Sequence, residues 1–213
     1  MIAGLLDIII IRFNTPELDE KCVASVLKYV GNIPHVITIF DNSKNKMTVT
    51  EVWNKLISSS HGEYVLLLNN DTEVYEEAIP KMMDTILSRK DVGAVGPSTN
   101  NSKNPQRVEK YPTTKSEIDM KEKFGTDWQL SGFCLLLKRW AVQYIGGFDE
   151  TYGHYGQEND LLYRMQEAGF KTIWRQDAFV YHVGQASSKK LKGFNDMLER
   201  RKADRKYKLL TDK

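Results

Sequence analysis

Cysteine is scarce in this chain of 213 residues: there are two, Cys22 and Cys134, with no C-x-x-C pair. That excludes a disulfide framework and a thiolate metal ribbon. Each cysteine sits in an apolar setting and is expected to act as a small buried hydrophobe. Net charge is also small, +2, which removes the argument for nucleic acid as an obligatory partner. Long apolar runs are missing too. The opening Leu5-Leu6-Asp7-Ile8-Ile9-Ile10-Ile11-Arg12 falls well short of the ~20 residues that cross a bilayer and is charged near each end. It carries no small-residue cleavage site of the signal-peptide kind. A cytoplasmic location is the expectation.

The composition that remains, 41% hydrophobic and 27% charged, suits one soluble domain with a substantial core. Basic residues crowd only in the tail from Lys189 to Lys213, with Arg200-Arg201-Lys202 and Arg205-Lys206. Such a run is either the solvated face of a helix or a contact for phosphate or an anionic membrane. The expected organisation is a single domain over 1–192, with halves 1–97 and 98–192, and a charged helix over 193–213.

The first hundred residues alternate strand and helix. Leu6 to Phe13 reads as a strand covered on both faces. Thr15-Pro16-Glu17 supplies an N-cap, a first-turn proline and an acid at the positive end of the dipole. Leu18, Cys22, Val26 and Val30 then form a helical stripe that stops at Gly31. Strands are expected at Val36–Phe40, Glu63–Leu68 and Val92–Val95, and helices at Val49–Ser58 and Glu76–Arg89. This β-α order predicts a mostly parallel sheet with right-handed crossovers. Its ligand crevice belongs at the carboxyl ends of the strands. Two strands end there in polar clusters, Asp41-Asn42-Ser43 and Asn69-Asn70-Asp71-Thr72-Glu73.

The second half has a different texture. Ser98 to Thr114, rich in Asn, Ser, Lys and Pro, is expected to be an exposed loop or lid. A strand over Gln129–Lys138, interrupted at Ser131-Gly132, precedes a short helix at Arg139–Ile145. Gly146-Gly147-Phe148-Asp149-Glu150 and the aromatic loop Tyr152-Gly153-His154-Tyr155-Gly156 lead to a helix over Glu158–Ala168. Two short strands, Lys171–Trp174 and Ala178–Tyr181, end at His182.

Seven stretches resemble one known family in order and spacing: Ile8 to Asn14, Phe40 to Ser43, Leu66 to Val74, Leu130 to Phe133, Gly146 to Glu150, Glu158 to Leu161, and His182-Val183-Gly184. The chain resembles the family 2 inverting glycosyltransferases of GT-A fold, in a short form closest to the rhamnosyltransferase-like branch. The resemblance implies a Rossmann-like nucleotide-binding half, continuous with a smaller acceptor half. It also implies a nucleotide-sugar donor, UDP-sugar first, with dTDP- and GDP-sugars as alternatives.

Residue roles follow from the same resemblance. Donor contacts are expected at Ile11, Asn14, Asp41, Asn42, Asn54, Asn69, Asp71 and Gly132. Asp41 would accept a hydrogen bond from the nucleobase; the plainer account is an Asx turn closing the strand. Asn69 and Asp71 would occupy the D-x-D positions, the first on ribose and the second on a divalent metal, Mn2+ or Mg2+. An alternative register, Asp71-Thr72-Glu73, lets Glu73 share that metal through water. His182 matches a late histidine ligand. Asparagine at 69 departs from Asp-x-Asp and lowers the negative charge of the site.

In the helix, Glu158 matches the catalytic base, with Asp160 orienting it or touching the acceptor. A one-residue shift makes Asp160 the base, and the plain reading is two ordinary first-turn acids. Gly132 would let backbone approach the donor sugar, while Trp128, Tyr152 and Tyr155 either stack on sugars or pack in the core. The acceptor would be a glycan, a lipid-linked sugar or another hydroxyl, met by the loops 98–114 and 150–157 and by the basic tail.

Two other readings compete. A sugar-nucleotide pyrophosphorylase should carry a glycine-rich loop after the first strand, where this chain has Arg12-Phe13-Asn14-Thr15-Pro16. A non-catalytic module binding nucleotide-sugar or glycan would have no need of competent metal and base positions.

Overall fold

The computed structural model describes residues 2–45, 47–110, 112–152 and 155–184, together with Lys208 and Thr211. Apart from those two positions, the expected tail helix over 193–213 and its basic face lie outside these residues. Among the described residues no helix is long and apolar enough to cross a membrane.

The opening β-branched run forms β1 (Ile2–Arg12), with Leu6, Ile8, Ile9 and Ile10 buried. Helix α1 (Pro16–Tyr29) starts at the proline and carries Glu17 and Asp19 in its first turn. Thr15 does not cap it with its side chain. Its oxygens accept instead from Asn70 Nδ2, at 2.9 Å to Oγ1 and 3.0 Å to the carbonyl. Next come β2 (His35–Asp41), α2 (Val49–Ser59), β3 (Gly62–Asn69), a short β4 (Thr72–Val74), α3 (Ala78–Ser88) and β5 (Val92–Ser98). Helix α2 is fixed by a reciprocal capping box, in which Glu51 N donates to Thr48 Oγ1 and Thr48 N to Glu51 Oε2.

The second half supplies β6 (Glu117–Asp119), α4 (Met120–Phe124), β7 (Cys134–Lys138), α5 (Arg139–Tyr144), α6 (Gln157–Glu167) and β8 (Lys171–His182). The sheet order is β2-β1-β3-β7-β5-β8-β4, with β6 on β8. Strands β1, β2 and β3 pair in parallel, as do β5 and β8. Strand β7 inserts between β3 and β5, antiparallel to both. The second half is thus woven into the sheet of the first, which alternation of strand and helix alone did not foresee. Every residue of β7 is buried, so its place in the middle of the sheet follows from its apolar sequence.

Three further expectations are corrected. The strand expected over Gln129–Lys138 begins only at Cys134, and Gln129–Phe133 runs as irregular chain whose Phe133 carbonyl accepts from Asn69 N. The two strands expected at 171–174 and 178–181 are one bent strand. The register against β5 shifts between Pro97 and Ser98, where buried Arg175 turns back on Asp177 at 2.6 Å. Finally, the start of the loop 98–114 is not an exposed lid. Ser98, Thr99 and Gln106 are buried, and Gln106 joins Pro97 O to Ser131 N. Its amide satisfies backbone that a loop would otherwise bury unpaired.

Two apolar clusters sandwich the sheet. One packs α1 and α3 against Leu6, Ile8, Ile10, Leu66 and Leu68; the other packs α2, α5 and α6 against Ile9, Val65, Leu67 and Leu135. Cys22 and Cys134 are free and buried, and burial pushes the Cys22 thiol up to about 12. Neither is a nucleophile.

Candidate active site

The carboxyl ends of β1, β2 and β3 lie side by side, with Arg12 paired to Asp41 and Ile11 to Asn69. The two polar clusters therefore meet at one edge, as a parallel sheet demands. Asp41 Oδ1 accepts from Ser43 N at 2.9 Å, and Arg12 Nη2 reaches Asp41 Oδ2 at 3.1 Å. The Ser43 bonds first, and Arg12 after them, hold the Asp41 carboxyl down to about 2. Asn42 anchors the turn through Nδ2 to Met47 O, and Asn14 sits nearby in the chain at φ 54°.

Arg12 also donates to Asp19 Oδ2 at 2.6 Å, and Asn70 Nδ2 donates to Asp19 Oδ1 at 2.8 Å. A continuous polar chain thus runs from Asp41 through Arg12 and Asp19 to Asn70, the residue before Asp71. The sequence reading missed Arg12 and Asp19. A charged residue at a strand end and an acid buried on a helix were the signals that could have found them.

Asp71 and His182, remote in sequence, come together: His182 Nε2 is 3.4 Å from Asp71 Oδ1. The pairing of Thr72 with His182 in β4 and β8 and the bond from Val183 N to Asp71 O set that approach. The His182 ring stacks on Phe133, with centroids 5.0 Å apart and planes at 15°. Asn100 and Asn101, unrecognised in the sequence, also hold His182. Glu73 does not join the pair. It lines a surface hollow with Lys21, Ser25 and Lys28. Among the described residues no three His, Cys, Asp or Glu side chains form a metal cage.

Next to Phe133, Gly132 faces α6: a Cβ added there would lie 3.5 Å from Glu158 Cδ and 3.4 Å from Trp53. Asp71, His182 and Phe133 thus form one contact chain, and Glu158 lies beside Gly132, the residue before Phe133. Asp160 lies about 200° around the helix from Glu158 and looks elsewhere. It is 3% exposed, and its Oδ2 accepts from Arg164 Nε at 2.9 Å and Nη2 at 2.6 Å. Arg164 in turn donates to Ile145 O and Gly147 O. The carboxylate expected to assist the base therefore braces the 145–147 turn. Asn54, expected at the donor, is likewise spent on protein: Oδ1 accepts from Phe148 N, and Nδ2 donates to Phe148 O and Glu150 Oε1. Trp128 is 42% exposed and Tyr155 half-buried, so these two, and not the buried Tyr152, are available as stacking faces.

Replacing Asp160 by alanine would leave Arg164 charged and only partly solvated. The expected loss is about 3 kcal/mol of stability, read by urea unfolding. A loss under about 1 kcal/mol would show the ion pair to be energetically idle.

Solved structures with this fold are GT-A glycosyltransferases. GalNAc-T7 with UDP, GalNAc and Mn2+ superposes with a TM-score of 0.67 at 11% identity, over 96% of this chain and 47% of that one. The catalytic domain of Drosophila beta1,4galactosyltransferase 7 with xylobiose gives 0.64 at 12% identity, over 99% and 80%. A mannosyltransferase from Pyrobaculum calidifontis with GDP-Man and Mn2+ gives 0.61 at 13%, over 83% and 56%. The protein therefore has the GT-A fold. Residues 9–202 match the model of glycosyltransferase-like family 2, and the chain belongs to that family. Part of it, 53 residues or 25% of the chain, is 43% identical to the N-acetylglucosaminyl-diphospho-decaprenol L-rhamnosyltransferase of Mycobacterium tuberculosis. The chain matches only 17% of the length of that relative.

Proposed function

We propose that this protein is an inverting, metal-dependent glycosyltransferase. It moves a sugar from a nucleotide-sugar donor, UDP-sugar before dTDP- or GDP-sugar, to a hydroxyl of a glycan or lipid-linked acceptor. The observation that carries the reading is the approach of His182 to Asp71 at the strand ends, and the place of Glu158 beside Gly132 supports it.

The residues fit a divalent ion. A carboxylate and an imidazole together suit Mn2+. Their 3.4 Å separation is close to the roughly 3 Å edge between neighbouring ligands of an octahedral ion with bonds of about 2.1 Å. Asp71 and His182 are the residues that would hold it. The ion, when bound, neutralises the charge developing on the departing diphosphate. Asp71 and His182 hold the donor's phosphate end, Asn69 meets the ribose, and Asp41 accepts from the base. Glu158 takes the acceptor's proton from the face opposite the leaving group. First-turn placement in α6 favours the ionised carboxylate that a base requires.

Asp41's role has a pH signature. Its folded value of about 2 lies below the ordinary ~3.9. The interactions that hold it are therefore fully present above about 4 and fade as pH falls through 2. At neutral pH it is an ionised acceptor. Thermal shifts with a nucleotide-sugar panel, with and without Mn2+, test the proposal: a UDP- or dTDP-sugar should raise Tm more with the metal. No shift with any donor would count against it. Asp41→Ala should erase the uridine preference while Mn2+ binding persists.

A further inference from the structure

His182 is held through its backbone, its neighbours in the chain and its ring. Its backbone is clasped at both ends by one side chain: His182 N donates to Asn100 Oδ1 at 2.8 Å, and Asn100 Nδ2 donates to His182 O at 3.2 Å. The next residue is tied as well, Asn101 Nδ2 donating to Val183 O at 2.8 Å. Gly184 follows at φ +78°, and a Cβ there would overlap the Asn101 side chain, so the chain passes close against that amide. Phe133 fixes the plane of the ring. Last, His182 Nδ1 lies 3.2 Å from Asn101 O.

That last contact favours one tautomer. A carbonyl oxygen can only accept, so the contact is a hydrogen bond when Nδ1 carries the proton. In the neutral ring Nε2 is then left with its lone pair, and Nε2 is the atom 3.4 Å from Asp71 Oδ1. In that tautomer two acceptors face each other across the gap. The opposite tautomer would place an N–H there, close the gap with a hydrogen bond and spend both groups on one another. With the proton held at Nδ1, the gap favours a cation between them.

We infer that Asn100 and Asn101 are positioning residues: together they lock His182 as the Nδ1–H tautomer with Nε2 turned to Asp71, pre-forming a two-point site for a divalent ion. This rests on the metal role proposed above for Asp71 and His182. The pair belongs to the segment 98–114 expected to meet the acceptor, and the geometry gives it a different task. Partners that orient a ligating histidine typically matter by 10–100-fold in metal affinity.

The test uses the 213-residue chain labelled with 15N at histidine, free of metal, at a pH where the imidazole is neutral. Long-range 15N–1H correlations should show His182 as Nδ1–H in the wild type. Mn2+ alone, titrated with free ion followed by electron paramagnetic resonance, should bind about 10–100-fold more weakly to Asn100→Ala. The same variant should show a mixed or reversed tautomer. Asn101→Ala, which frees Val183 and keeps the Asn100 clasp, should fall between the two and serves if Asn100→Ala unfolds. Nε2–H in the wild type overturns the inference whatever the metal result. So does a variant with altered tautomer and unchanged Mn2+ affinity. If the wild type shows Nδ1–H yet binds no Mn2+, the metal reading fails while the clasp itself is supported.

Discussion

Glu158→Gln is expected to lower kcat for sugar transfer by about 10²–10⁴-fold, the usual range for a positioned general base. Glutamine keeps the shape and buries no new charge, so Tm should hold, and Mn2+ binding at Asp71 and His182 should hold with it. Glu158 lies against Gly132, where a Cβ would come within 3.5 Å of its carboxyl carbon, and Gly132 adjoins the Phe133 that stacks on His182. Asp160 has the opposite profile. It is paired with Arg164 and braces the 145–147 turn, so its removal should cost stability. The two first-turn acids can thus be separated by two measurements, kcat and unfolding free energy. Wild-type kcat in Glu158→Gln would remove Glu158 as the base.

Much of this was legible because strands and helices announce themselves through local pattern. The β-branched run of β1, the stripe of Cys22 and Val26 in α1 and the polar ends of β2 and β3 were all visible in sequence. So was the pairing of Asp71 with His182, which came from a family resemblance and not from periodicity. What local pattern does not carry is partnership. Strand β7 reads as apolar whether its neighbours run parallel or antiparallel, so its insertion between β3 and β5 could not be foreseen. The polar stretch around Asn100, Asn104 and Gln106 read as exposed loop because Asn and Gln are turn and surface residues. In the fold Gln106 joins Pro97 O to Ser131 N, Asn100 bonds His182 N and Asn104 donates to Gln129 O. Spacing could not assign Asp160 and Arg164 either: an i,i+4 acid–base pair looks alike on a solvated face and against a turn.

Asp71→Asn is the second large effect expected. Metal stabilisation of a leaving diphosphate is worth several kcal/mol, so its loss should lower kcat by about 10²-fold or more. Asparagine preserves side-chain volume, and the backbone bond from Val183 N to Asp71 O does not depend on the side chain. The fold should therefore survive, and the deficit should appear as weakened Mn2+ binding. Glu73→Gln is the contrast. Glu73 lines the hollow beside Lys21 and Lys28 and stands apart from the Asp71–His182 pair, so Mn2+ affinity and kcat should stay near wild type. Equal losses in the two variants would favour the register in which both acids serve the ion. Asn69→Asp probes the same electrostatics from the other direction. Asn69 ends β3 beside Ile11, and a second carboxylate there should tighten Mn2+ in the absence of nucleotide. The diphosphate should then add less to metal affinity than it does in the wild type, because charge it would otherwise supply is already present on the protein.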